Sequence, residues 1–392
     1  MTKNDDKRVP VLRFKGFNDD WAQRKLRELA NIGDGLHGTP TYIDNSKYFF
    51  INGNNLVNDK IRITSETKKI SFSQLSKSDK ALNNLTLLMS INGTIGQLAF
   101  YNGENIKLGK SIAYIIFHSK NNFEFFYGVL KTPNIQRYFQ RHVTGTTIKN
   151  LGLAELRNFK YPIPSEKEQE KIGKTIILIN KIIVLQQRKA KQLKLLKKAM
   201  LQMLYTKEYI PSLRFMEFST KWNLVKLGDV TYRYDNLRQP VIASQRTHGK
   251  IPYYGANGIQ DHVDGYTHKG KFLLIAEDGA NDIHNYPVKY VDGKIWVNNH
   301  AHVIQSMPDK VDDIFLLNAI KIINMQPYLV GGSRAKLNAD VMNKIPIKLP
   351  TLQEQKDIGS LAYHLDKLIK LCLSKNSQLQ SAKQFLLQNM FI

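Results

Sequence analysis

The sequence predicts an α/β chain: two mixed α/β domains separated by two long helices that form an antiparallel coiled coil, all built as a pseudo-twofold internal repeat. Three observations predict it. First, Arg13-Phe14-x-x-Phe17-x-x-x-Trp21 returns as Arg214-Phe215-x-x-Phe218-x-x-x-Trp222, and at an offset of 201 eight of the twenty-one positions of 9–29 are identical. Second, 144–206 aligns with 330–392 at an offset of 186 without gaps, matching Gly145 to Gly331, Leu151 to Leu337, Pro164 to Pro350, Glu168 to Glu354, Gln169 to Gln355 and Gly173 to Gly359. Third, the segments between these matches read as short strands punctuated by Asn-Gly, Asp-Gly and Gly-Asn, and they resemble each other only faintly. A repeat must be settled before any other assignment, because missing it misassigns the fold. A duplicated frame with divergent inserts suggests one protein that reads two different things at a fixed separation.

The frame divides the chain into a first domain over 1–150, a long helix within 151–208, a second domain over 209–337 and a second long helix within 338–392. In the first domain Phe49–Ile51 and Ile112–Phe117 read as strands and Phe123–Leu130 as a short helix. The first long helix starts after Pro164, where Ser165 followed by Glu168 has the spacing of a capping box. Ile172, Ile179, Ile182, Leu193, Leu196, Met200 and Met203 fall on a and d of a heptad, with Gln186 and Lys189 as polar interruptions. In the second domain Phe272–Ala276, Ile295–Val297 and Ala301–Ile304 read as strands and Ile314–Ile323 as a helix. The second long helix repeats the first, with Thr351 and Glu354 at its start and Ile358, Leu361, Leu365, Leu368, Cys372, Leu379, Ala382 and Leu386 on its seam. Each helix of about 40 residues is roughly 60 Å long. A seam repeating every 3.5 residues needs a partner. The simplest is the other copy in the same chain; a homodimeric coiled coil, or each helix packed on its own domain, is the alternative.

The net charge of +24 over 392 residues points to a polyanion partner, of which nucleic acid is the common one. A basic proteome or a solubility effect is the bland alternative. The single cysteine, Cys372, excludes an internal disulfide and a cysteine-cluster zinc site, and fits a reducing, cytoplasmic compartment. Met1–Pro10 is polar and charged, so no secretory signal is expected, and lysines and asparagines break every apolar run short of the ~18 residues a membrane span needs.

No catalytic constellation emerges. Gly103 to Gly109-Lys110-Ser111 has five residues between its glycines where a phosphate-binding loop has four. Asp59 with Glu66 and Lys68 is a chance approximation to a nuclease carboxylate set. Asn324-Met-Gln-Pro327-Tyr328 lacks the second proline of an amino-methyltransferase motif, and His300 with His302 lacks a third metal ligand. What remains suits polar recognition. Gly35-Leu36-His37-Gly38-Thr39 is a glycine-rich loop where backbone N–H groups can approach a phosphate, or a structural turn. Asn52, Asn54 and Asn55 can pair with an adenine edge, or simply favour a turn. Asn92 and Thr94 follow an apolar strand whose counterpart ends at Asp278-Gly279-Ala280. Lys107, Lys110, Arg137, Arg141, Thr146 and Lys149 are candidate phosphate contacts. The second insert offers Arg238, Gln245, Arg246, Tyr253, Tyr254, Asn257, Asn299, His300, Arg334 and Lys336. Each residue alone is weak, since most polar side chains are merely solvated; together they match groups that position on phosphates and read base edges.

With these motifs in hand, nearly the whole chain resembles the specificity subunit of a type I restriction-modification enzyme. The resemblance rests on the twice-used Pro-x-Leu-Arg-Phe-x-x-Phe-x-x-x-Trp opening, the Gly145-Thr-Thr-Ile-Lys-Asn-Leu151 closing motif, and Pro164-x-x-x-Glu168-Gln169-x-x-Ile172-Gly173 with its repeat. The second closing motif, Gly331-Gly-Ser-Arg-Ala-Lys336-Leu337, departs from the first in its lysine position. The resemblance implies that each variable segment is a target recognition domain reading one half of a split, asymmetric sequence in double-stranded DNA. It also implies that the helices set the spacer between the halves. Two modification subunits would bind S-adenosylmethionine and methylate adenine N6, and restriction subunits would add ATP- and Mg-dependent translocation and cleavage. On this reading the chain itself is not catalytic, carries no cofactor and meets no membrane.

Overall fold

Both ends of each insert are tied by one short antiparallel ladder. Ala22–Lys25 pairs with Lys160–Ile163, and Asn223–Lys226 pairs with Pro346–Leu349 in the matching register. The computed structural model describes residues 9–205, 209–331 and 335–392. The chain forms two compact units: 1–186 with 375–392, and 187–374.

In the first unit the central sheet comprises β1 (Ala30–Asp34), β2 (Thr86–Ser90), β3 (Leu98–Phe100) and β4 (Ile112–Phe117). They lie antiparallel in the order β1-β4-β2-β3. Helix α1 (Lys120–Lys131) packs on this sheet, and α2 (Pro133–Arg141) follows at once. Pro133 at the first position of α2, capped by Thr132, is a start signal that the periodicity reading passed over.

The second unit repeats the plan with β5 (Thr231–Arg233), β6 (His248–Gly255), β7 (Gly258–Val263), β8 (His268–Ala276), β9 (Val288–Val297) and β10 (Ala301–Ser306). The sheet order is β5-β10-β8-β9-β6-β7. Its first four strands reproduce the four of the first unit; β6 then joins β9 in parallel and carries β7 as a hairpin. The two inserts are thus one fold, extended differently.

The long helices α3 (Glu166–Leu204) and, after α4 (Asp313–Ile322), α5 (Leu352–Asn389) are the predicted pair. In the first unit Lys383 Nζ donates to Asn180 Oδ1 at 2.7 Å, and in the second Lys197 Nζ donates to Asp366 Oδ2 at 2.6 Å. In the first unit Ile172 and Ile176 also share a core with Leu387 and Met390, and in the second Leu204 shares one with Ile358, so within each unit one partner number falls as the other rises and the helices run antiparallel. The seam differs from the predicted one in its second position. The a/d series through Ile172 and Ile358 is packed as expected, but the companion series is Ile176, Ile183, Ala190 and Leu204, answered by Ala362, Ile369 and Met390. Leu196, Met203 and Leu368 are exposed instead. Apolarity favoured the larger leucines, whereas the close approach of two helices favours the small Ala190 and Ala362.

The capping-box reading needs correction. Glu354 N donates to Thr351 Oγ1 at 3.3 Å, but the Glu354 carboxylate accepts Arg214 Nε and Nη2, both at 2.7 Å. Glu168 does the same with Arg13, at 2.6 and 2.8 Å. A bidentate charged partner outcompetes a local backbone N–H. The repeated Arg-Phe opening is therefore a clasp that holds the chain to the base of each helix. The glycines of the repeat serve the same seating. A Cβ on Gly173 would lie 2.7 Å from Glu124 Cβ, and one on Gly359 would lie 2.5 Å from Asp312 Oδ1, so each long helix touches the first turn of its domain's helix.

Two cores result. Trp21 meets Phe125 edge-on at 5.6 Å in the first unit, and Trp222 meets Phe315 at 5.8 Å in the second. Among the described residues no helix is long and apolar enough to cross a membrane.

Candidate nucleic-acid interface

In each unit the loops flagged in the sequence converge on one end of the central sheet. After β1, Leu36 N donates to Leu108 O at 2.8 Å and Lys110 N to Leu36 O at 3.0 Å. Beyond β2, Gly93 N donates to Lys149 O at 2.9 Å and Leu151 N to Ile91 O at 2.8 Å, which seats the closing motif there. Ser111 Oγ accepts Gly53 N at 2.9 Å and donates to Asn52 Oδ1 at 3.1 Å. Segments 35–39, 52–55, 92–94, 109–111 and 145–150 thus form one hydrogen-bonded platform.

Within it the candidate residues divide. Gly35 is structural, since a Cβ there would lie 2.1 Å from Leu108 O. Asn55 Oδ1 accepts Asn52 N at 2.9 Å and its Nδ2 donates to Arg62 O at 2.9 Å, so these two asparagines hold their own turn. Asn92 Nδ2 is given to Lys110 O at 3.1 Å. Lys107 is buried against Gln74 O and Asp79, and is not a surface cation. Thr39, Asn54, Thr94, Lys110, Arg141, Thr146 and Lys149 are exposed. His37 is exposed as well, with Nε2 2.6 Å from Asp34 Oδ2. Gly145 has φ +87 and a Cβ there would lie 2.4 Å from Ile148 O, so a glycine closes the loop that presents Thr146 and Lys149.

The second platform uses the same frame with different side chains. Asp235 stands 201 residues after Asp34, and its carboxylate accepts Val303 N at 2.8 Å and meets His302 Nδ1 at 2.7 Å. The other ring nitrogen of the buried His302 meets Leu337 O at 2.8 Å. Arg238 Nη1 donates to Glu277 Oε2 at 2.6 Å and Lys336 Nζ lies 3.1 Å from Glu277 Oε1. Burial alone would raise both acids. The His302 bond and the Val303 N–H outweigh it at Asp235, and the Arg238 and Lys336 bonds outweigh it at Glu277, so both sit below their ordinary range. This network fixes the closing motif, with Leu337 N on Glu277 O at 2.6 Å. The bridge between Asp278 and Lys336 stands where Asn92 and Asn150 stand in the first unit.

Several candidates of the second insert are therefore occupied. Arg238 belongs to the network, His300 Nδ1 is 2.5 Å from Asp278 Oδ1, and Asn257 bridges Gly279 O and Asn281 N, both at 2.9 Å. Tyr253 and Tyr254 are buried rather than presented. Segment 239–246 covers Tyr253: Val241 N donates to its hydroxyl at 3.0 Å and Arg246 lies 4.1 Å over its ring while reaching Asp261. Nothing in the sequence placed that segment. Gln245, Asn299 and Lys336 are exposed, and Arg334 lies outside the described residues. Sequence reasoning missed Asp235 and Glu277, for which the matched spacing of Asp34 and Asp235 was the available signal, and it weighed His302 only as a metal or surface histidine, whereas that ring is buried between Asp235 and Leu337 O. Among the described residues no group of three or more His, Cys, Asp or Glu could hold a metal ion.

A fold used twice, with one sheet end rebuilt from different polar side chains, defines a duplicated recognition protein. Residues 18–195 and 219–381 each match the type I restriction modification DNA specificity domain, and the chain belongs to that family. Its members are the DNA-recognition components of their systems and are not themselves catalytic. A putative type I restriction enzyme specificity subunit of Haemophilus influenzae is 44% identical over 145 residues, 37% of either chain. The putative MjaX specificity subunit of Methanocaldococcus jannaschii is 24% identical over 93% of this chain and 91% of its own. The fold is that of the type I restriction-modification S subunit from M. genitalium, with a TM-score of 0.70 at 17% identity over 98% of this chain and 99% of that one. A chain from a study of assembly and conformational transition in a type I system aligns at a TM-score of 0.53 and 13% identity, over 95% and 97%.

Proposed function

We propose that this chain reads a bipartite, asymmetric DNA sequence, with 1–150 and 209–337 as its two target recognition domains. One observation carries the reading: both inserts build the same loop platform from the same backbone bridge, yet present different side chains on it. Exposed Asn54, Thr94, Lys110, Thr146 and Lys149 on the first platform, Asn299 and the Glu277-paired Lys336 on the second, and Gln245 on the segment over Tyr253 are the base- and phosphate-facing candidates. Phosphate contacts from a chain at +24 supply affinity that falls steeply with salt, while the divergent side chains supply sequence. The long helices, in the segments 151–208 and 338–392, set the distance between the half-sites. Two modification subunits bind the chain, carry S-adenosylmethionine and methylate adenine, which must leave the stack to react. Restriction subunits add ATP- and Mg-dependent cleavage, and the whole works in the cytoplasm. The test is to replace 30–148 with the first insert of another family member and map the methylated sequence. One half-site changes and the other stays; a change in both halves would refute the two-module reading.

A further inference from the structure

The internal sequence repeat makes Lys197 equivalent to Lys383 and Asp366 equivalent to Asn180, each pair 186 residues apart. The same inter-helix contact is therefore a lysine–carboxylate pair in the second unit and a lysine–amide pair in the first. The helix pair of the first unit lacks the acid at this point. The domain supplies one: Asp59 Oδ2 accepts Asn180 Nδ2 at 3.4 Å and Tyr127 Oη at 2.8 Å, while Oδ1 pairs with Lys131 Nζ. Lys131 ends α1, and Lys321, in the corresponding place on α4, lies within electrostatic reach of Lys197 and Asp366. Each junction thus sets one carboxylate among lysines from the helix pair and from the domain.

The backbone gives an independent sign that Asp59 is there for its carboxylate. Asn58 and Asp59 form the two-residue turn between Leu56–Val57 and Lys60–Ile61, with φ of +52 and +62. Such turns favour glycine at the second position; aspartate enters the left-handed region more readily than most residues but less readily than glycine, so the turn alone would be served better by glycine. Asp59 is also largely buried, with 13% of its side chain exposed. The neighbouring Lys383 ammonium is pushed down in pKa by burial, with Asp59 opposing and Lys131 reinforcing that push. Removing Asp59 would leave Lys131 and Lys383 close together around a neutral amide.

We infer that Asp59 is the positioning residue of the first domain: through Asn180 it ties the 56–61 hairpin to both long helices, replacing the acid that the second unit carries on α5. In the second unit the pair stays within the helices, so the two domains are seated by different rules. That this seating serves half-site reading rests on the function proposed above; the tie itself does not, and its test uses no DNA.

The full-length chain is compared with Asp59→Asn, Asp59→Gly, Asn180→Asp and the double variant Asp59→Asn/Asn180→Asp, by thermal unfolding and hydrogen exchange. Asp59→Asn is expected to lower the melting temperature by several degrees. It should also speed exchange at least tenfold in peptides covering 56–61 and 376–386, leaving 355–369 unchanged. Asp59→Gly relaxes the turn but is still less stable than the parent. The double variant recovers at least half of the lost protection, because the acid returns to its place on the helix. If Asp59→Gly equals the parent, the aspartate serves only the turn. If the double variant is no better protected than Asp59→Asn, the acid does not act through position 180. Either result overturns the inference.

Discussion

At the scale of single residues, the chain is held at four points that repeat: an arginine, a glutamate, a tryptophan and a glycine in each copy. The Arg214–Glu354 pair is nearly dry, with 9% and 0% of the side chains exposed. Losing one partner leaves a charge buried without its counter-ion, which costs roughly 3–5 kcal/mol. The Lys197–Asp366 pair, with Asp366 half exposed, is worth at most about 1 kcal/mol after screening. Glu354→Ala should therefore destabilise the second unit severalfold more than Lys197→Ala, as denaturant unfolding of the two variants would show; equal losses would contradict the clasp. The matched Arg13/Arg214 and Glu168/Glu354 were visible in the sequence, but their contact was not. They lie 155 and 140 residues apart, and local spacing offered each glutamate a nearer role as a helix cap. The same blindness explains Tyr253, whose burial depends on segment 239–246 folding over it.

Among the elements, the sequence reading was strongest where periodicity and glycine punctuation agreed. Ile112–Phe117 is a strand over its expected residues, and the two domain helices start and stop within three residues of expectation. The 22–25 and 160–163 pairing was not legible, because four-residue strands joined across more than 130 residues carry no local signature. The helix seam was half legible, since its second series was hidden among competing leucines. The observed seam makes a sharper deletion possible. Removing 187–193 from α3 together with 370–376 from α5 takes out one heptad from opposed stretches and keeps every a/d partner in register. It shortens each helix by about 10 Å, close to three base pairs of duplex. The spacer of the recognised sequence should contract by about that amount with both half-sites unchanged, read by methylation mapping. A spacer that keeps its length would remove the helices as the ruler.

For the whole molecule, the proposed function has one duplicated, strongly basic chain confer sequence choice on partners that do the chemistry. Fold class and duplication were readable from the repeats, because these are summed over many residues, and the net charge of +24 sets the expectation of a polyanion partner on the same ground. The identity of the side chains that face DNA was not, because it depends on which of them the platform has already spent: Asn52, Asn55, Arg238 and Asn257 hold the frame, whereas Asn54, Thr94, Lys149 and Asn299 are exposed. The decisive measurement is a genome-wide map of N6-methyladenine in a methylation-free host expressing this chain with a modification subunit encoded beside it, and then that subunit alone. A split, asymmetric motif that appears only when both are present is the predicted result. No motif, or the same motif without this chain, would contradict it.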